Sequence, residues 1–238
     1  ENRYAKAVSP KKWAKGRGAA AVKTLRNASL LGLTEVDTNM WKYILKKMKE
    51  YDGVRMPKYG GKPDGCAILF KKGEFQLIGS SRKQLNVTPN PDTYELDQVF
   101  SLARFRHNAT GKTVVLVVLH LKAGNHAKYE PTRVSQLKRS LELTEAWCKA
   151  NECEGATRIL CGDLNSDRAH GPKVGNCLQL MLDKGWTDVF DTVEAVTHFD
   201  GGKLDHVHVK GEGFAFSHPR VMTDEKGSDH KPLLVNMM

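Results

Sequence analysis

The run Thr113-Val114-Val115-Leu116-Val117-Val118-Leu119 constrains this chain more than any other segment. It is β-branched or Leu throughout, too short for a buried helix, and far below the ~20 apolar residues of a membrane span. It reads as a strand, the most hydrophobic in the chain. Less hydrophobic β runs accompany it at Leu30–Leu33, Cys66–Phe70, Phe75–Ile78, Val99–Phe105, Arg158–Cys161, Leu204–Val209, Phe214–Val221 and Leu233–Asn236, parted by polar turns. Helical spacing predicts four helices among them. Ser9–Asn27 is basic, with Ser9 as N-cap and Pro10 at the first helical position. Trp41, Ile44, Leu45 and Met48 mark a second, stopped by Gly53. Thr132–Lys149 carries the stripe Val134, Leu137, Leu141, Thr144 and Cys148, and Val174–Leu182 completes the set. Strands with helices spaced among them imply packed sheets flanked by helices, an α/β fold. Residues 1–238 are read as one domain, of which 1–28 form a basic helical segment.

Composition narrows the class. Hydrophobic residues are 40% and charged residues 27%, which excludes disorder over most of the chain. The net charge is +10, and residues 1–30 alone hold an excess of seven. Such a balance favours a polyanionic partner, nucleic acid above all, although basic faces are as often simply solvated. The five cysteines include no C-x-x-C pair, which reads as reduced, buried thiols in an intracellular protein, cytoplasmic or nuclear, with organelle targeting left open.

The chemistry-bearing residues cluster where the strands end. The clusters are Thr34-Glu35-Val36-Asp37, Cys161-Gly162-Asp163-Leu164-Asn165, Leu204-Asp205-His206 and Gly227-Ser228-Asp229-His230, with His120 closing the most hydrophobic strand. Carboxylates and an amide oxygen suit a hard cation such as Mg2+, which keeps waters for a phosphate. Each cluster alone is an ordinary turn. His206 and His208 share a strand face and could be zinc ligands, but packed histidines are the simpler reading. Neither a Cys or Ser nucleophile constellation nor a Gly-rich loop after a strand occurs, so kinase and Rossmann readings fail.

Taken together and in order, "LTEVD", "DGCAILF", "LHLKA", "CGDLNSD", "LDHV" and "GSDHKPL" resemble the endonuclease/exonuclease/phosphatase superfamily. The likeness is greatest to its deadenylase branch of CCR4-type and nocturnin-type enzymes, and runs from about Leu30 to Pro232. It implies a four-layer α/β sandwich, two mixed β-sheets with helices outside. It implies Glu35 as a metal ligand, with Thr34 where the family has Gln. Asp163 and Asn165 would bind a second metal or place the attacking water, with Asp229 a further metal ligand. His230 would contact the scissile phosphate and Asp205 orient it, while His120 would contact a phosphate oxygen. Lys122 and Arg133 would face phosphates, and Phe199 would stack a base. The implied cofactor is Mg2+ or Mn2+. The implied activity is phosphodiester hydrolysis, most simply by a 3′-to-5′ exoribonuclease acting on RNA. A phosphatase of a nucleotide or NADP(H) is the first alternative, which Gly124 and Asn125 disfavour because a basic residue is expected there. A non-catalytic nucleic-acid-binding relative is the second. The family pattern also opens with a strand ending in Asn some tens of residues before Glu35; no such segment is seen, and Glu1 is read as the start of a fragment.

Overall fold

In the computed structural model the described residues are 15–58, 63–85, 98–124, 127–167, 176–193, 196–199, 201–223 and 227–238. A six-stranded mixed sheet forms the centre. It contains β4 (Phe75–Gln84), β5 (Val99–His107), β6 (Thr113–His120), β7 (Thr157–Asp163), β9 (Asp205–Lys210) and β8 (Thr187–Asp188), side by side in that order. Among the described residues β6 and β7 alone pair in parallel, joined by the long helix α3 (Glu130–Ala150); a parallel pair needs such a crossover. A second, antiparallel sheet has the order β1 (Leu30–Leu33), β3 (Gly65–Lys71), β2 (Tyr51–Pro57), and β10 (Phe216–Val221) pairs with β11 (Leu233–Met237). The remaining helices are α1 (Arg17–Leu25), α2 (Thr38–Lys47) and α4 (Asn176–Asp183).

Strand β6 shows why the layers stack as they do. Val114, Leu116 and Val118 enter the core between the sheets, against Cys66, Ile68, Phe70 and Phe105. Val115, Val117 and Leu119 point the opposite way, against Leu137, Leu141 and Cys148 of α3 and Cys177, Leu178 and Met181 of α4. Each side chain so buried stabilises the fold by about 1.5–3 kcal/mol. A third cluster, Val22, Leu31, Ile44, Met48, Tyr51 and Leu69, seats α1 and α2 on the outer face of the β1–β3–β2 sheet. Four layers result, α1/α2, sheet, sheet, α3/α4, as the family resemblance implied.

Three expectations change. Gly53 does not stop a helix; Met48 caps α2, and Gly53 lies within β2. A Cβ there would sit 2.2 Å from the Ile68 carbonyl oxygen and 2.8 Å from the Trp41 ring, so glycine is required by close approach to β3 rather than by a turn. Strand β4 runs on to Gln84 through a bulge between Leu77 and Gly79, and alternates half-buried with exposed positions along the sheet edge. The first helix is described as Arg17–Leu25, with Gly16 at its N-cap position; Ser9 and Pro10 lie outside the described residues, as does Val174.

Candidate active site

Sheet register assembles one half of the site. His120 ends β6, Asp163 ends β7 and Asp205 begins β9; the pairing sets His120 beside Asp163 and Asp163 beside Asp205. His230 reaches the row from the turn before β11, bridged through its backbone to His198. Its Nδ1–H donates to Asp205 Oδ2 at 2.7 Å. Oδ2 of Asp163 lies 3.6 Å from His120 Nε2 and 3.8 Å from His230 Nε2, so one carboxylate oxygen faces two imidazoles. Its Oδ1 accepts the backbone N–H of Asn165 at 2.8 Å. Gly162 makes the approach possible: its φ is +136°, and a Cβ would fall 1.9 Å from the Leu119 carbonyl oxygen.

The charges of this row are unequal by design of its surroundings. Burial, then the neighbouring Asp205 carboxylate, pushes Asp163 up to about 7, against the pull of His230. Burial lowers His230, but the Asp205 hydrogen bond and the Asp205 and Asp163 charges outweigh it and raise the imidazole to about 9. A cationic donor and a carboxylate able to take a proton near neutrality therefore stand side by side.

Loops supply the other half. Glu35 follows β1 with φ 56°, and Asn165 follows β7 with φ 51°; non-glycine residues in that region are strained and concentrate at functional sites. Asn165 Nδ2 donates to the Leu121 carbonyl at 3.3 Å, which orients the amide. Loss of water around the Glu35 carboxyl raises its pKa, Lys58 opposes this, and the charges of Asp64 and Asp229 add to it. Among the described residues no three His, Cys, Asp or Glu side chains gather as a ready-made ligand set. The oxygen donors on Glu35, Asp163, Asn165 and Asp229 are of the kind Mg2+ takes, through one or two carboxylates with waters completing its shell. Burial is the first cause of the raised Glu35 and Asp163 carboxyls, and neighbouring carboxylates add to it, Asp64 and Asp229 for Glu35 and Asp205 for Asp163. The four expected ligands thus divide. The Asp229 charge reaches Glu35 across the loops, whereas Asp163 ends β7 in the strand-end row and Asn165 stands on the loop just after it.

Of the substrate-contacting residues expected, Phe199 is at the rim, 73% exposed, with its backbone N–H on the Asp229 carbonyl at 2.9 Å. Lys122 lays its ammonium over the Tyr129 ring, 4.4 Å from the centroid. Arg133 does not face phosphates. It is fully buried; Nη1 donates to Glu130 at 2.9 Å, Nε to the Lys122 carbonyl at 2.8 Å, and Nη2 to the Gly124 carbonyl. Its donors are spent on shaping the loop after His120. Gln136 assists through the Lys122 N–H, and Glu130 also accepts from Ser166 and the Cys177 N–H, tying the loop after Asp163 to the same helix.

Sequence reading missed Arg55, Lys58 and Asp64. Arg55 donates from Nε to the Val36 carbonyl at 2.8 Å and from Nη2 to the Pro63 carbonyl at 2.6 Å, clamping together the loops of Glu35 and Asp64. Lys58 pairs with Asp64 at 2.8 Å; burial raises the Asp64 carboxyl, but the Lys58 hydrogen bond and charge win and hold it low. The aspartate in "PDGCAILF" was the available signal. His206 and His208 are buried packing residues, their rings 5.8 Å apart, with His206 Nε2 on the Ser166 carbonyl at 2.9 Å. Cys66 and Cys161 are free thiols, each pushed up to about 12 by burial.

Known proteins resemble this chain in sequence and in fold. Residues 13–230 match the Endonuclease/Exonuclease/phosphatase family. Nocturnin of Drosophila melanogaster is 26% identical over 178 residues, 70% of this chain and 26% of that protein. The chain spans about a quarter of the length of the curated relatives it matches. The human Nocturnin catalytic domain, solved with a bound sulfate anion, superimposes with a TM-score of 0.78 at 20% identity, covering 98% of this chain and 89% of that one. ANGEL2, described as a 2′,3′-cyclic phosphatase, gives a TM-score of 0.76 at 17% identity over 97% of this chain and 88% of its own. Among the described residues no helix is long and apolar enough to cross a membrane. A match over nearly the whole chain, on a four-layer sandwich with this strand-end row, places the chain in the endonuclease/exonuclease/phosphatase family of phosphoester hydrolases, in its CCR4- and nocturnin-like branch.

Proposed function

We propose that the chain is a Mg2+-dependent phosphodiesterase that removes nucleotides from the 3′ end of RNA, a deadenylase-like exonuclease. The observation that carries this reading is the Asp205–His230–Asp163 row, with its 2.7 Å hydrogen bond and its paired elevations to about 9 and about 7. A phosphodiester is already anionic, so attack on it requires charge compensation and an in-line water. Asp205 orients the His230 ring and keeps it cationic, so that its Nε2–H serves a non-bridging phosphate oxygen. His120 offers a second imidazole to the same group. Asp163 holds the attacking water and accepts its proton, with the Asn165 amide as the second contact. Glu35 and Asp229 would hold Mg2+, which supplies Lewis-acid stabilisation of the developing charge. Phe199, exposed at the rim beside this row, offers a flat apolar face to the terminal base.

The test is an assay of 3′-labelled and 5′-labelled oligoadenylate beside NADPH and adenosine 2′,3′-cyclic phosphate, with Mg2+ and with EDTA. Stepwise release of mononucleotides from the 3′ end, abolished by EDTA, is expected. Phosphate release from NADPH, or ring opening of the cyclic phosphate, with the RNA left intact would replace the nuclease reading by a small-molecule phosphatase. RNA binding indifferent to EDTA without turnover would replace it by a non-catalytic binding role.

A further inference from the structure

The two outer helical layers carry very different charge. Helices α3 and α4 together hold four basic and four acidic residues, among them the Arg139–Glu142 pair at 3.6 Å. Helices α1 and α2 hold five basic residues, Arg17, Lys23, Lys42, Lys46 and Lys47, and no acidic one. All five are exposed, and Lys49 extends the series just beyond α2. Among the described residues no carboxylate lies within ion-pair distance of any of the five; the nearest pairing on this face is Arg26 with Glu50 at 3.5 Å. Lys42 and Lys46 stand one turn apart, and like charges at that spacing cost a helix about 0.2–0.5 kcal/mol. The face thus keeps a repulsion that a single exchange to glutamate would remove.

Its placement gives the charge a direction. Helix α2 starts from Asp37, whose Oδ1 caps the Met40 N–H at 2.7 Å, two residues after the pocket's Glu35. The lysines follow along the helix within about 7–15 Å of that cap, at 1.5 Å of rise per residue. The exposed large apolar residues of the described molecule are Ile78, Leu182, Val196, Phe199 and Met238, none on α1 or α2. A face that is cationic but lacks apolar side chains to insert suits a phosphate backbone better than a lipid surface.

We infer that the α1/α2 face is an exosite for the phosphodiester backbone of an RNA strand whose end lies in the pocket. This deepens the nuclease reading and rests on it for the fate of the bound strand, while binding is measured separately. The experiment compares the wild-type chain with the triple variant Lys42→Gln, Lys46→Gln, Lys47→Gln and, as control, the opposite-layer triple Lys138→Gln, Arg139→Gln, Lys149→Gln. Binding of a fluorescent 20-nucleotide RNA is followed by anisotropy in EDTA against salt, and hydrolysis of the dinucleotide ApA is followed with Mg2+. The α2 triple should weaken RNA binding roughly tenfold at low salt and flatten the slope of log K against log salt by about 2, since each lost phosphate contact removes about 0.7 for a single strand. The control triple and ApA hydrolysis should stay at wild-type levels. Equal losses in both triples, or no loss in either, overturns the exosite. Loss of phosphatidylserine-vesicle binding in the α2 triple with RNA binding untouched overturns it in favour of a membrane face. A flattened slope on a chain that does not hydrolyse ApA sustains the exosite while the nuclease reading fails.

Discussion

The two halves of the candidate site are held in different ways. His120, Asp163 and Asp205 are fixed by the pairing of three neighbouring strands, so their backbone spacing is as rigid as the sheet. Glu35 and Asp229 stand on loops, and what positions Glu35 is a side-chain clamp, Arg55 on the Val36 and Pro63 carbonyls. Proton handling, which tolerates little misplacement, would on the proposed function lie on the strands. Cation holding, where water completes the shell, would on the proposed function lie on the loops. The contrast predicts that damage to the strand half removes chemistry and damage to the loop half shifts metal dependence.

The largest effect is expected at Asp163. Asp163→Asn should lower turnover by about 10⁴-fold, the upper range for a lost general base. It should also stabilise the fold. A carboxyl raised from 3.8 to about 7 costs stability increasingly as pH rises through that window, and the full cost stands at neutral pH. Removing it should lift Tm in EDTA by about 2–4 °C per kcal/mol recovered at this chain length. A lowered Tm would show that Asp163 is a structural carboxylate instead.

Asp205→Asn comes next, with an expected loss of about 10²–10³-fold in kcat, because His230 loses both orientation and charge. Its stability signature has the opposite sign. Raised from 6.5 to about 9, His230 contributes stability that is complete below about 6.5 and gone once the pH has passed about 9. Thermal melts of wild type should fall across that interval, and those of Asp205→Asn should be flatter; parallel curves would refute the pairing.

On the loop side, Glu35→Gln should raise the Mg2+ concentration for half-maximal activity at least about tenfold, with most of the rate restored at saturation. A loss as deep as that of Asp163→Asn at any Mg2+ level would erase the distinction between the halves. Arg55→Met should have the smallest effect. It costs about 1–2 kcal/mol of stability for the lost charged hydrogen bonds and shifts Mg2+ half-saturation a few-fold, leaving saturated kcat within a factor of about two because no strand-end residue moves.

The strand-end row was legible in the sequence for a physical reason. A buried strand is apolar until it leaves the core, so a carboxylate or imidazole at its end, as in "VVLVVLH" and "RILCGD", marks the point where chemistry meets solvent. Packed sheets flanked by helices followed from the same runs, and the four-layer order from the family resemblance. Strand β2 was illegible because Gly53 and the exposed positions around it carry no clean alternation, and its identity is set by contact with Ile68. Arg133 was misread because a basic residue on the helix beside the site resembles a phosphate ligand in sequence. Its burial against Glu130 is a tertiary fact. Arg55 was missed since its partners are carbonyl groups, which any residue possesses.

The ladder of β6, β7 and β9 restricts where this scaffold can change. Inserting one residue into β7 would turn its inward side chains outward and separate His120, Asp163 and Asp205 in one stroke. Lengthening a connection at the mouth of the sandwich would leave that alignment untouched. Diversification among descendants of such a chain is thereby channelled into its rim, and new specificities can be grafted there by loop exchange without redesigning the machinery beneath.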